Sequence, residues 1–234
     1  MAMVKRIGVL TAGGTILGSS NRANPFRAPV TIKGEKTFVD QSDDAMRTFE
    51  RYGLDLLVVI GGDGSLSVAH KLGQNGIPTM GVPKTIDNDL AATDVTFGFD
   101  TALATATDAL DMLHTTAESH HRTMLTDSIR LGGVGHRLAG ELEQHLETEV
   151  RSTVLGHVQR GGSPTPFDRI LGTRFGVHAA RCAAEGKAGV MVALRGTQIV
   201  DVPLADAVSE PRRVDPDSEL VATARSLGMR FGNE

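Results

Sequence analysis

Residues 54–65 read LDLLVVIGGDGS. From Leu56 to Ile60 every side chain is aliphatic, and the run stops at Gly61-Gly62. A short, nearly unbroken apolar run closed by glycines is expected of a parallel strand covered on both faces. Ligands of open α/β sheets bind at the carboxyl ends of such strands. Gly62-Asp63-Gly64-Ser65 therefore stands where a backbone without Cβ atoms can wrap phosphates, helped by the donors of a following helix N-terminus. Asp63 is the carboxylate there that could hold a magnesium ion, directly or through water. An ordinary βα turn with an aspartate cap would carry the same residues, so this turn alone does not decide the function.

Outward from it the pattern repeats. Apolar runs at 4–11, 77–82, 152–155 and 190–194 predict four more buried strands. Between them, Leu103, Ala106, Leu110 and Leu113 form one apolar stripe of a helix over 101–114, with Asp100 or Thr101 as its cap. Leu138, Leu142 and Leu146 form another over 137–146. Thr165-Pro166-Phe167-Asp168 opens a third, with threonine as N-cap and proline at the first helical position. The polar stretch 209–218 precedes a last helix. Strand, glycine turn and helix in succession predict a parallel α/β sheet.

The composition narrows the function classes. With 24 Lys and Arg against 28 Asp and Glu, the formal charge of -4 argues against a broad nucleic-acid surface. No apolar segment of secretory or membrane-spanning length stands out, and Cys182 is the only cysteine, so a reducing cytoplasm is expected. Eight histidines, without HExxH spacing and with one cysteine, do not suggest a zinc site.

Two further loops carry chemistry. Pro83-Lys84-Thr85-Ile86-Asp87-Asn88-Asp89 crowds two carboxylates, a hydroxyl and an ammonium after a strand. A kinase acting on an alcohol needs a carboxylate to accept the hydroxyl proton and cations to offset the moving charge. Spacing alone does not choose between Asp87 and Asp89, and a solvated Asn/Asp turn has the same composition. Leu155-Gly156-His157-Val158-Gln159-Arg160-Gly161-Gly162 offers His157 and Arg160 as donors to an anion, and His120-His121-Arg122 is a further donor cluster.

The stretches IGVLTAGG, GTILGSS, VVIGGDGSL, GVPKTIDNDL, FGFDTAL, SHHR and TVLGHVQRGGSPTPFDR occur in this order. Together they closely resemble the 6-phosphofructokinases over most of residues 4–208. The resemblance implies a three-layer, Rossmann-like parallel-sheet α/β fold with a nucleotide-binding lobe (1–100 plus 159–208) and a reduced sugar-phosphate lobe (101–158 plus 209–234). It implies transfer of the γ-phosphate of ATP to the 1-hydroxyl of fructose 6-phosphate, with Mg²⁺, in glycolysis. Carried over by motif, Gly13, Arg22, Gly62, Asp63, Gly64 and Ser65 would face the nucleotide, Asp63 being the magnesium-associated carboxylate. Asp87 would be the general base, with Thr85 and Asp89 at the transferring phosphate, its metal or the sugar. Arg122, Arg151, His157 and Arg160 match the sugar-phosphate pocket, and Arg122 and Arg151 typically come from a neighbouring subunit, which implies a homo-oligomer.

The chain also departs from that pattern. Gly13-Gly14 runs straight into Thr15-Ile16-Leu17, where the family inserts an Asp-containing loop and a long helix, and Met124 is followed by LTDSIRLGGVGHRL in place of several strands of the second lobe. Omission or deletion of segments is the expectation, because the flanking motifs are intact. Donor choice rests on Gly64, which leaves room for a nucleotide as in ATP users, and on Lys84, which matches pyrophosphate users; ATP ranks first and pyrophosphate second. NAD kinases and lipid kinases share the GGDG turn but lack the other two loops. A non-catalytic shell that binds nucleotide is the remaining alternative.

Overall fold

A computed structural model describes residues 11–19, 23–32, 34–119, 133–146 and 150–233. The strand expected over 4–11 lies outside these residues apart from Thr11. The chain divides into two compact units, one of Leu17–Phe99 with Ile170–Glu234, the other of Met1–Ile16 with Asp100–Arg169.

In the first unit the chain begins with an antiparallel hairpin of β1 (Ala28–Ile32) and β2 (Glu35–Val39), turned at Gly34 with φ +86°. Ala28, Val30 and Ile32 alternate along β1, a strand signal that the sequence reading passed over. Helix α1 (Ser42–Arg51) follows, its start held by Asp40, whose carboxylate accepts the Ser42 N–H at 2.8 Å. Then come β3 (Leu57–Gly61), α2 (Asp63–Gln74) and β4 (Thr79–Pro83), matching the strands and the glycine turn read from the sequence to within a few residues. Helix α3 (Phe99–Ser119), α4 (Val134–Glu143) and α5 (Pro166–Ala184) precede β5 (Val190–Arg195), β6 (Gln198–Pro203), α6 (Leu204–Ala207) and α7 (Glu219–Ser226).

The four-stranded sheet runs β3-β4-β5-β6. Its first three strands are parallel, and β6 returns antiparallel to β5, so the sheet is mixed and mainly parallel. Alternation along β5 sorts its side chains into two layers of core. Met191 and Ala193 pack with Leu66 and Ala69 of α2 and Leu204 and Ala207 of α6. Val192 and Leu194 pack with Met80 and Val82 of β4 and with Leu171, Phe175, Ala179 and Cys182 of α5. Helices thus cover both faces, giving the three layers expected. The cover is tight at Gly81, where an added Cβ would stand 3.0 Å from Leu204 and 3.1 Å from Leu66.

Several expectations need correction. β3 is covered on one face only: Val59 packs into the α2–α6 layer, whereas Val58 and Ile60 are 43% and 54% exposed. The reason is position, since β3 ends the sheet among the described residues and α5 lies over β4 and β5. Residues 152–155 form no strand; they have no ladder partner among the described residues, and a lone strand leaves its backbone groups unpaired. α3 starts before Asp100 and Thr101, which lie in its first turn rather than capping it. Its leucine stripe is exposed, and Ala102 is the buried residue instead. α4 begins a turn earlier than expected, and Leu138, Leu142 and Leu146 are likewise exposed.

In the second unit the starts of α3 and α5 are tied together. The buried Asp168 carboxylate accepts from the Thr101 N–H at 2.8 Å and from its hydroxyl. Thr165 caps α5 as read, its Oγ1 accepting the Asp168 N–H at 3.3 Å while its hydroxyl donates to Asp100. Among the described residues no helix is long and apolar enough to cross a membrane.

Phe175 is fully buried between sheet and helix, whereas Val154 is 65% exposed in the stretch that forms no strand. Phe175→Ala should cost about 3–5 kcal/mol of unfolding free energy, and Val154→Ala within about 0.5 kcal/mol of nothing. Denaturant titration of both variants checks this; a large loss at Val154 would mean that residues 152–155 are packed after all.

Candidate functional site

Two loops leave the carboxyl ends of neighbouring parallel strands side by side. Gly61 stands opposite Pro83 in the β3–β4 register, and the Lys84 N–H donates to the Gly61 carbonyl at 2.9 Å. From there β3 passes through Gly62 directly into α2, and β4 passes into Lys84-Thr85-Ile86-Asp87-Asn88-Asp89. The approach requires glycine. A Cβ on Gly62 would stand 3.2 Å from the Thr85 Cβ, and one on Gly61 would overlap Ser65 at 2.5 Å. Gly64 is the contrast, since a Cβ there would meet nothing within 4 Å.

Asp63, Gly64 and Ser65 form the exposed first turn of α2, and no side chain caps it. The first N–H groups of a helix have no intrahelical acceptors, and the aligned peptide dipoles leave partial positive charge there. An anion placed at this turn would meet those donors.

The second loop is held from within. Thr85 is buried, and its Oγ1 accepts the Asp87 N–H at 3.1 Å. The same hydroxyl lies 3.4 Å from Asp87 Oδ2, a long contact that still ties the carboxylate to the loop. Asn88 takes the left-handed conformation with φ 51°, which asparagine tolerates better than most residues. From it the Asn88 side-chain oxygen accepts the Thr96 N–H at 2.9 Å, while the fully buried Thr96 hydroxyl donates to the Thr85 carbonyl at 3.0 Å. Thr96 and Asn88 were not among the residues singled out in the sequence. The only signal was an asparagine between two aspartates, a common turn composition.

This lock leaves Asp87 and Lys84 exposed and Asp89 half-buried. Burial, then the charges of Asp63 and Asp87, push the Asp89 carboxyl above the usual carboxylate range. Its Oδ1 is buried with no hydrogen-bond partner among the described residues. Asp63 and Asp87 are near enough for their charges to be felt at Asp89, and an unpartnered carboxylate oxygen is the hard donor that a magnesium ion takes. Asp63, where the sequence places the ion, and Asp89 would hold it, directly or through water, since among the described residues the oxygens of Asp63, Asp87 and Asp89 do not converge as one ligand set.

Gly13, Arg151, His157 and Arg160 fall in the second unit. Gly13 lies against Gly162, whose carbonyl oxygen would be 2.2 Å from an added Cβ, so no side chain fits at Gly13. Arg151 is exposed. His157 and Arg160 are exposed on a single 3-10 turn, Gly156–Arg160, and not on a glycine turn leaving a strand as expected. Arg22 and Arg122 lie outside the described residues.

Comparison with known proteins gives this geometry a lineage. The family model described as Phosphofructokinase matches residues 2–129 and 126–183. A Chloroflexus aurantiacus protein named ATP-dependent 6-phosphofructokinase, a kinase, is 40% identical over an alignment of 297 positions that covers 97% of this chain and 82% of the relative. That alignment is longer than the 234-residue chain, so it runs through stretches the chain lacks, and the chain is shortened relative to its homologues. A Streptomyces coelicolor protein named pyrophosphate–fructose 6-phosphate 1-phosphotransferase is 37% identical over 96% of the chain and 83% of the relative. Among solved structures, Pichia pastoris phosphofructokinase in the T-state superposes with a TM-score of 0.63 at 22% identity, covering 87% of this chain but only 31% of that one. The paired loops, the motif order and these matches lead to one conclusion: the chain belongs to the phosphofructokinase family.

Proposed function

We propose that the chain transfers the γ-phosphoryl group of ATP to the 1-hydroxyl of fructose 6-phosphate, giving fructose 1,6-bisphosphate and ADP. One observation carries the reading: a register-fixed pair of strands sets an uncapped, glycine-wrapped helix start beside an exposed carboxylate held by a threonine. Phosphoryl transfer asks for those two parts together, an anion cradle and a positioned base. Gly62, Asp63, Gly64 and Ser65 receive the nucleotide phosphates, with Gly13 and Arg22 completing the nucleotide contacts. Asp87 accepts the proton of the sugar hydroxyl as its oxygen bonds to the γ-phosphorus and the bond to ADP breaks. Thr85 aims that carboxylate. Asp63 would hold the magnesium ion, whose charge would offset that on the phosphate oxygens. Asp89, Arg122, Arg151, His157 and Arg160 bind fructose 6-phosphate, Arg122 and Arg151 reaching across to a neighbouring subunit in a cytoplasmic homo-oligomer. On this reading 1–100 with 159–208 is the nucleotide lobe, and 101–158 with 209–234 is the reduced sugar lobe.

Donor choice turns on two positions. The open space at Gly64 supports passage of a nucleotide. Lys84, exposed at the head of the second loop, supports a pyrophosphate donor, and relatives of nearly equal identity carry both names. ATP stays first because a carboxylate at position 64 is the feature that excludes a nucleotide, and it is absent.

Asp87→Asn should leave folding and nucleotide affinity nearly unchanged while lowering turnover by about two orders of magnitude or more. A coupled assay reading fructose 1,6-bisphosphate checks it, and equal rates for mutant and parent would sink the base assignment. Gly64→Asp should suppress ATP use, and Lys84→Gly should weaken pyrophosphate use more than ATP use, because pyrophosphate has no adenosine contacts to compensate. Initial rates with both donors decide between them. A parent of mass 24.8 kDa inactive with either donor would favour the non-catalytic shell.

Asp89 supplies a pH prediction. Its folded pKa is raised, so folding binds a proton more tightly than the unfolded chain does, and its ionised form opposes folding above that pKa. Asp89→Asn should therefore stabilise the magnesium-free protein at neutral pH. The gain should fade as pH falls through the raised pKa toward the ordinary carboxylate value. Magnesium should reverse the order by stabilising the parent alone; melting curves across pH, with and without the ion, read both effects.

A further inference from the structure

Away from the two loops, α5 and β6 bring together side chains that the phosphoryl-transfer reading does not use. His178 and Cys182 are four residues apart on α5 and so share a helix face. Asp201 stands opposite Val192 in the β5–β6 register, and Val192 packs under α5, so Asp201 presents its carboxylate on the same side. One ligand atom from each of the three, a ring nitrogen, a sulfur and a carboxylate oxygen, lies within 4.8 Å of the others.

His178 Nε2 is 3.6 Å from Asp201 Oδ1, too far for a hydrogen bond, yet it is buried with no hydrogen-bond partner among the described residues. A buried ring nitrogen whose carboxylate neighbour stands just beyond hydrogen-bond reach is a costly arrangement, which a ligand shared by the two groups would relieve. Two occupants besides a metal deserve weighing. A Cys–His pair could be a nucleophile and its base, but Cys182 is 2% exposed and burial, then Asp201, pushes its thiol pKa up, the reverse of a reactive thiolate. Lys187 could fill the space as a cation, but its Nζ is already directed at carboxylates, 3.4 Å from both Asp201 oxygens and 3.2 Å from Glu185.

We propose that His178, Cys182 and Asp201 form a binding site for a borderline-soft divalent transition metal, zinc above all, with water as the fourth ligand. Mixed nitrogen, sulfur and oxygen donors select such an ion over magnesium or calcium. In tetrahedral zinc the ligand atoms stand about 3.3–3.8 Å apart, so the pair at 3.6 Å is already spaced and the others, within 4.8 Å, need to close by an ångström or so at most. The site is balanced in charge: on binding, the Cys182 thiol loses its proton to solvent, and the thiolate and carboxylate neutralise the ion. Lys187 then keeps Glu185 as its partner. The ion would pin α5 to β6 across the core layer, a structural role separate from Asp63, Asp87 and Asp89. Histidine spacing alone does not reveal this set, because the third residue comes from strand β6, on the far side of β5 in the chain.

The test uses the full chain freed of metal by chelation and held in excess Mg²⁺, so that hard carboxylate sites are saturated. Cobalt(II) should bind at one equivalent and give a thiolate-to-cobalt charge-transfer band, which only Cys182 can produce in a chain with one cysteine. Zinc should abolish the band and raise the melting temperature. Cys182→Ser and the half-buried His178→Gln should each lose the band, Asp201→Asn should weaken binding at least tenfold, and Lys187→Met should tighten it. Circular dichroism establishes that each variant is folded. A parent with no charge-transfer band overturns the proposal, as does zinc bound with equal affinity by the parent and by folded His178→Gln.

Discussion

The hydrogen bond from the Lys84 N–H to the Gly61 carbonyl extends the β3–β4 ladder one step past the strands and sets everything that follows at the site. Because it fixes the two loop origins side by side, Gly62 passes close against Thr85, and a side chain there would press on the threonine at 3.2 Å. The Thr85 hydroxyl, placed by that contact, in turn holds the Asp87 backbone. Orientation of an exposed carboxylate is thus inherited from strand register through a chain of short-range contacts. A one-residue slip of β4 would turn every one of its side chains to the opposite layer and remove the threonine from the glycine.

The same loop concentrates charge that the fold itself does not neutralise. Asp89 is pushed toward its neutral form by burial and by two neighbouring carboxylates, which is an unfavourable arrangement for stability alone. Sites of this kind are tolerated where a ligand supplies the missing countercharge. The α5–β6 cluster has a different character, since Asp201 is held ionised: burial raises its pKa, but Lys187 and His178 together outweigh that and lower it.

Strands β3, β4 and β5, the capping of α5 by Thr165 and the clustering of polar groups after β3 and β4 were all legible in the sequence, because each depends on local composition: aliphatic runs, glycine stops and a Thr-Pro start. Burial was less legible. Leu103, Leu110 and Leu113 have helical spacing, but spacing identifies a face and not what covers it, and Ala102 is the residue that packs. The aliphatic run of β3 looked two-sided because composition does not reveal that a strand ends its sheet. Hairpin β1–β2 escaped notice although Ala28, Val30 and Ile32 alternate along β1, because β2 carries only Phe38 and Val39 as apolar residues, Phe38 lying 4.3 Å beneath the Arg27 guanidinium. Within the site, the glycine turn after β3 and the polar loop after β4 were readable by motif, whereas the Asn88–Thr96 lock that shapes the second loop depends on a backbone conformation no composition specifies.

The pairing of β4 with β5 joins Met80 to Val190 across more than a hundred residues. The entropy of closing so long a loop grows only with the logarithm of its length, about 0.6 kcal/mol for each doubling. Against the burial of Met80, Val82, Met191 and Val192 that this pairing secures, dozens of residues gained or lost in the intervening chain barely alter the balance. The central sheet is therefore insulated from the length of what it encloses, and a family built on it can shed or acquire whole segments between these strands without re-engineering its core.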